Sequence, residues 1–80
     1  MKKQPVRAFV ALGANLGDAS ATLRWALAAI AALPGTRLVR SSSLYRTAPI
    51  DSSGPDYINA VAEIATTLHA PVLLAALQQI

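Results

Sequence analysis

The spacing of apolar residues in the first half of the chain predicts one strand followed by one helix. From Val6 to Leu12 the sequence is apolar except for Arg7 and stops at Gly13, a pattern typical of a strand that is buried on most of its surface. Apolar residues then recur every three or four positions over residues 19–33, which predicts a helix that packs along one stripe and ends before Pro34. The stripe contains Leu23, Ala26, Leu27, Ile30 and Leu33.

Two later stretches alternate with a period of two, which predicts two further strands. The first extends from Arg37 to Tyr45 and places Leu38 and Arg40 on the same side. Residues 46–55 contain two prolines, a glycine and two serines and predict a loop that is longer than most connections. The second strand extends from Asp56 to Leu68. Its two faces hold Ile58, Ala60, Ala62 and Ile64 on one side and Tyr57, Asn59, Val61 and Glu63 on the other.

A second helix is predicted at the end of the sequence. Pro71 suits the first helical turn, and apolar residues continue at helical spacing to Ile80. The order strand, helix, strand, strand, helix begins a split βαβ, ferredoxin-like unit of the α+β class, with an antiparallel sheet and the helices on one face. Such a unit needs at least one more strand, and no helix-ending residue follows the last apolar position. We therefore expect residues 1–80 to be the incomplete N-terminal half of a single domain.

The composition narrows the class of protein. The 80 residues are 54% hydrophobic and 14% charged, which is typical of a globular domain. Seven basic residues are spread along the chain and give a formal charge of +3, which is weak support for nucleic-acid binding and fits an anionic small ligand equally well. The absence of cysteine excludes disulfides and thiolate metal sites and suits a reducing compartment. Since no segment approaches the roughly 20 apolar residues that span a bilayer, we expect a soluble cytoplasmic protein without membrane contact.

Two features that could carry chemistry have weak patterns. The turn over residues 13–18 lies between a strand and a helix, where backbone N–H groups can face a phosphate. The alternative, which the missing P-loop lysine favours, is an ordinary turn in which Asp18 or Ser20 caps the helix. The only histidine, His69, and the four scattered carboxylates predict no metal site.

The most informative stretch extends from residue 45 to residue 59. Tyr57 and Asn59 lie two apart on a predicted strand and therefore point to the same face. There an aromatic ring can stack on a flat heterocycle while the carboxamide hydrogen-bonds its edge. In the preceding loop Pro49 restricts Ala48 to an extended conformation, which leaves backbone groups available for the same ligand. The alternative is an ordinary loop followed by an edge strand with a solvent-facing Asn.

Three segments in combination resemble the 6-hydroxymethyl-7,8-dihydropterin pyrophosphokinase family of folate biosynthesis. They are Gly13–Asp18, Ser42–Pro49 and Pro55–Val61, and their order and spacing are specific to that family although each is weak alone. The resemblance covers the whole chain and matches the N-terminal half of a longer protein. It implies a ferredoxin-like fold and an ATP-dependent transferase that moves diphosphate from ATP to the hydroxymethyl group of a reduced pterin, with magnesium.

The resemblance also implies roles for individual residues. Backbone groups of the loop meet the edge of the pterin, Tyr57 stacks on its ring, and Asn59 hydrogen-bonds it. Gln78, on the final helix, aligns with a position that approaches the nucleotide. The implied substrate-binding residues are Thr47, Ala48, Pro49, Ile50, Tyr57 and Asn59.

The implied chemistry depends on residues outside this sequence. The family's magnesium-binding Asp-x-Asp pair and its nucleotide-binding arginines belong to the part beyond Ile80. Diphosphoryl transfer needs bound metal and cationic side chains to neutralise developing charge. We therefore expect no catalytic or metal-binding residue in this chain, and no activity from residues 1–80 alone.

The rival class is a binding module without catalysis. A ferredoxin-like sheet can bind RNA by stacking bases on exposed aromatic residues, or it can bind a metabolite for regulation. RNA binding requires two or three aromatic residues on one sheet face with basic neighbours, and in the sequence only Tyr57 is well placed. We expect small-molecule partners, namely a reduced pterin and ATP, with no nucleic acid, and favour a monomer.

Overall fold

The computed structural model describes residues 4–50 and 54–80 and contains four strands and two helices in these ranges. The predicted loop over residues 46–55 includes residues 51–53, which lie outside the described residues. The elements are β1 (Val6–Ala14), α1 (Ala19–Ala31), β2 (Thr36–Ser41), β3 (Tyr45–Thr47), β4 (Tyr57–Thr66) and α2 (Ala70–Gln78).

The strands form one antiparallel sheet in which β4 is central. β1 pairs with one edge of β4, while β2 and β3 pair with the other edge. Because β1 and β2 are both antiparallel to β4, they are parallel to each other with β4 between them. This is the split βαβ arrangement of a ferredoxin-like unit, and it confirms the predicted α+β class.

The hydrophobic core lies between α1 and one face of the sheet. The alternation in β4 places its small and branched apolar residues on this face, where Ile64 is fully buried. The predicted stripe of α1 covers them, since α1 contacts β1, β2 and β4. Leu77 of α2 and Ile80 line a cavity of about 260 Å³ together with Leu23 of α1, so the two helices lie on the same side of the sheet. The buried apolar residues are Ala19, Leu23, Ala26, Ile30, Ala60, Ala62, Ile64 and Ala65.

The prediction that the first strand is buried on most of its surface is wrong. Exposure alternates along β1, and Phe9 is 71% exposed. The second face of the sheet is not covered by a helix in the part of the chain that the structure describes. An apolar strand sequence alone does not distinguish a strand covered on two faces from one covered on one face.

The predicted strand from Arg37 to Tyr45 is in fact two strands, β2 and β3. The pairing with β4 shifts between Leu38, which lies opposite Ile64, and Arg40, which lies opposite Glu63. The extra residue forms a β-bulge, which turns the side chains that follow it to the other face. The prediction that Leu38 and Arg40 share one side is therefore wrong.

The turn between β1 and α1 is shorter than predicted. β1 continues through Gly13 and Ala14, which pair with β4. The Asp18 carboxylate then accepts a hydrogen bond from the backbone N–H of Ala21 at 3.1 Å, as expected of a helix cap. The capping interpretation of this turn is confirmed.

Candidate functional site

The second sheet face, opposite α1, carries polar and aromatic side chains and is called the open face below. Residues directly opposite each other in antiparallel strands project to the same face, so the strand pairing shows which residues lie on the open face. Alternation along β4 places Tyr57, Asn59 and Glu63 on this face. Their partners from neighbouring strands are Phe9, Gly13, Arg40, Tyr45 and Thr47.

The six predicted substrate-binding residues line a single cavity of about 430 Å³ at one end of the open face. Two of them lie at the start of β4. The other four lie at the end of β3 and in the loop that follows it. This volume lies within the range of roughly 300–1,000 Å³ that is usual for small-molecule sites. The lining residues are Thr47, Ala48, Pro49, Ile50, Tyr57 and Asn59.

Gln78 does not join this group. It is exposed at the end of α2 and is absent from the lining of the cavity. The structure therefore separates the predicted nucleotide contact from the predicted heterocycle site.

Asn59 lies on the central strand, so the alternative of an edge strand with a solvent-facing Asn is wrong. Gly13 of β1 pairs with it on one side and Tyr45 of β3 on the other. Its side chain is half-buried, and Nδ2 donates a hydrogen bond to Thr47 Oγ1 at 2.8 Å. Asn59 has a second Nδ2 hydrogen and an Oδ1 acceptor, which can serve a ligand.

Tyr57 and the loop complete the cavity. Tyr57 is 39% exposed and lies on the same face, where an aromatic ring can stack on a flat ligand. Ile50 is 87% exposed and Pro49 is half-buried at the other wall. A flat ligand that enters here meets an aromatic ring, an amide and apolar surface, which is the usual composition of a heterocycle site.

Sequence interpretation missed that two further aromatic residues share the open face with Tyr57. Tyr45 is 47% exposed and lies directly opposite Asn59, and Phe9 lies opposite Glu63. The expectation that only Tyr57 is well placed for stacking is therefore wrong. Strand pairing, which a single sequence does not reveal, brings these residues together.

A charged cluster, formed by Arg7, Arg40 and Glu63, occupies the other end of the open face. Arg7 Nη1 donates to Glu63 Oε2 at 2.5 Å, and Arg40 Nε donates to Glu63 Oε1 at 2.6 Å. The hydrogen bond from Arg40 has the largest influence on the pKa of Glu63 and lowers that pKa. Burial of the carboxylate raises the pKa, and the hydrogen bond from Arg7 lowers it. The net result is a pKa below the usual range of glutamate.

This shift predicts a loss of stability in acid. A carboxyl whose pKa is lower in the folded state stabilises the fold above its unfolded pKa, at about 4.3, and loses that contribution as the pH falls through the folded pKa. We expect the urea midpoint of the wild-type protein to fall more steeply below about pH 4.3 than that of Glu63→Gln. Arg40→Met should show an intermediate slope, because Arg7 still binds the carboxylate. Parallel curves for wild type and Glu63→Gln would contradict the role of this cluster.

Residues 4–50 and 54–80 contain no group of three or more His, Cys, Asp and Glu side chains placed to hold a metal ion. Within these ranges, neither helix is long and apolar enough to cross a membrane.

Comparison with known proteins shows consistent similarity to one family. Residues 9–80 match the family described as 7,8-dihydro-6-hydroxymethylpterin-pyrophosphokinase (HPPK). The chain is 45% identical over 76 residues to a 2-amino-4-hydroxy-6-hydroxymethyldihydropteridine pyrophosphokinase of Haemophilus influenzae, covering 94% of this chain and 48% of that protein. A protein with the same name from Pseudomonas putida is 43% identical, and the match covers 94% of this chain and 62% of that protein. A third, from Bacillus subtilis, is 35% identical, and the match covers 91% of this chain and 44% of that protein. The chain thus spans about half the length of the curated relatives it matches.

Proposed function

This chain belongs to the 7,8-dihydro-6-hydroxymethylpterin-pyrophosphokinase family, and on that premise we propose that the whole protein transfers diphosphate from ATP to 6-hydroxymethyl-7,8-dihydropterin. The observation that carries the proposal is the cavity of about 430 Å³ whose lining consists of the six residues implied to bind the pterin. The activity serves folate biosynthesis. This chain supplies part of the pterin site.

The proposed contacts involve one face of the bicyclic ring and its polar edges. Tyr57 stacks on the ring, and Asn59 hydrogen-bonds its polar edge through the second Nδ2 hydrogen and Oδ1. Backbone groups of Thr47, Ala48 and Ile50 pair with the remaining edge. Since one extended loop and one strand hold these groups, the ligand is oriented before the reaction.

ATP is the proposed second substrate, and Gln78 is the proposed contact to it from this chain. Magnesium would neutralise the charge of the transferring diphosphate. Among residues 4–50 and 54–80, no three His, Cys, Asp or Glu side chains are grouped to hold a metal ion. We propose that the metal ligands and the nucleotide-binding arginines lie beyond Ile80, and we expect no turnover from residues 1–80 alone.

The proposed setting is the cytoplasm, where ATP is available, with the protein acting as a monomer on small molecules.

Three aromatic residues on the open face, Phe9, Tyr45 and Tyr57, also suit an RNA-binding sheet. The charges give RNA less support, since Glu63 neutralises part of the positive charge that Arg7 and Arg40 bring to this face. We expect a single-stranded RNA oligomer to show no saturable binding in fluorescence anisotropy.

The products of a reaction test the proposed activity. Incubation of the whole protein with magnesium, ATP and 6-hydroxymethyl-7,8-dihydropterin should yield AMP and the diphosphate ester of the pterin. The bond that breaks lies between the α- and β-phosphates, and the hydroxymethyl oxygen takes up the diphosphoryl group as its proton is released. Phosphorus NMR separates AMP from ADP, and formation of ADP, or no pterin-dependent turnover, would contradict the proposal.

A further inference from the structure

The side chain of Asn59 is confined on both sides by neighbouring strands. On the β3 side, Nδ2 donates to Thr47 Oγ1 at 2.8 Å. On the β1 side, a Cβ built on Gly13 lies 3.0 Å from Asn59 Oδ1, a tighter approach than nine in ten real Cβ contacts. The amide therefore lies across the open face, with Nδ2 toward β3 and Oδ1 toward β1.

We infer that Gly13 and the Thr47 hydroxyl are positioning residues that hold the Asn59 amide in its ligand-binding orientation. The inference rests on the proposed function, in which Asn59 binds the pterin edge. Gly13 acts by leaving the space that Oδ1 occupies, and Thr47 acts through a hydrogen bond that fixes the plane of the amide. Neither role requires Gly13 or the Thr47 side chain to touch the pterin.

Pairing within the sheet explains why Gly13 acts at this position. Gly13 lies directly opposite Asn59, so any side chain added there projects to the same face. The other atom near the added Cβ is the Ile58 carbonyl oxygen, at 4.0 Å, so the contact with Asn59 dominates. Relief by movement of the backbone is disfavoured because β1 and β4 are paired from Val6 to Ala14.

The confinement has a chemical consequence for the ligand. One Nδ2 hydrogen is used by Thr47, which leaves one donor and the Oδ1 acceptor on the open face in a fixed relation. A ligand edge with an acceptor beside a donor, such as a cyclic amide, matches this pair. A preorganised pair binds more tightly than a freely rotating amide, because less side-chain freedom is lost on binding.

A double-mutant cycle by calorimetry with the reduced pterin and the whole protein tests the role of Gly13. Gly13→Ala should weaken pterin binding by roughly two- to tenfold, because the amide must move by a few tenths of an ångström, while it should have little effect once Asn59 is already Ala. Ala11→Ser, which adds one atom to the same face of β1 two residues away, should leave pterin affinity unchanged. Equal losses from Gly13→Ala in both backgrounds would overturn the inference.

A second measurement, which needs no ligand, tests Thr47. In nitrogen NMR, Thr47→Val should shift the side-chain amide signals of Asn59, and Thr47→Ser, which keeps the hydroxyl, should not. Pterin affinity should fall roughly two- to tenfold in Thr47→Val and recover in Thr47→Ser. Unmoved amide signals in Thr47→Val would overturn the positioning role of Thr47. Shifted signals in a protein that does not bind pterin would instead contradict the proposed function and leave the Asn59 contacts established.

Discussion

Replacing Ile64 with Ala is expected to lower the free energy of unfolding by about 2 to 5 kcal/mol, the largest effect of any single change considered. Ile64 is fully buried on the central strand, where it lies between Ala8 of β1 and Leu38 of β2. Truncation removes three carbon atoms from the contact between α1 and the sheet and leaves a cavity that small neighbours cannot fill. Urea unfolding followed by circular dichroism measures the loss.

A matched control for this change is Val6→Ala at the exposed start of β1. Val6 is also β-branched but is 66% exposed, so its truncation should cost less than about 1 kcal/mol. Similar losses from the two substitutions would contradict a core centred on β4 and α1.

Replacing Asn59 with Ala is expected to weaken pterin binding by about 1 to 3 kcal/mol, or roughly 5- to 150-fold. The substitution removes the donor and acceptor that face the cavity and leaves polar groups of the ligand without partners. Nucleotide affinity should be unchanged, which separates the effect from a loss of fold. Calorimetric titration with each ligand measures both quantities.

The control for Asn59 is Val61→Thr, two residues further along the open face. It changes the polarity of that face at similar volume and lies outside the lining of the cavity. Its pterin affinity should match that of the wild type. An Asn59→Ala protein that keeps full pterin affinity would remove Asn59 from the site.

The local periodicities of the sequence predicted most of the elements. Spacing alone placed α1 and β4 and divided the side chains of β4 between two faces, because these features depend on residues close in sequence. The central position of β4 was not predicted. The cap by Asp18 was also predictable, since it satisfies a backbone N–H three residues away. The bulge at Val39 was not, because an extra residue is recognised only from the partner strand.

In the candidate site, too, features that depend on residues close in sequence were predictable, and features that depend on strand pairing were not. Tyr57, Asn59 and the loop from Thr47 to Ile50 are close in sequence, and their grouping was predicted and is observed in one cavity. Gly13 and Tyr45 flank Asn59 only through strand pairing. A single sequence does not reveal that register, so their relation to the site became visible only in the fold.

The charged cluster on the open face illustrates the limit most clearly. Arg7, Arg40 and Glu63 are far apart in the sequence, and each alone has the pattern of a solvent-exposed residue. The bulge places Arg40 opposite Glu63, and β1 brings Arg7 to the same carboxylate. One inserted residue thus decides whether Arg40 joins Arg7 as a partner of Glu63.

Calorimetric titration of the whole protein with 6-hydroxymethyl-7,8-dihydropterin, in the presence of magnesium and a non-hydrolysable ATP analogue, tests the central claim most directly. The cavity lined by the loop from Thr47 to Ile50 with Tyr57 and Asn59 predicts saturable binding of one pterin per chain. Absence of saturable pterin binding under these conditions would contradict the assignment of this cavity as a pterin site.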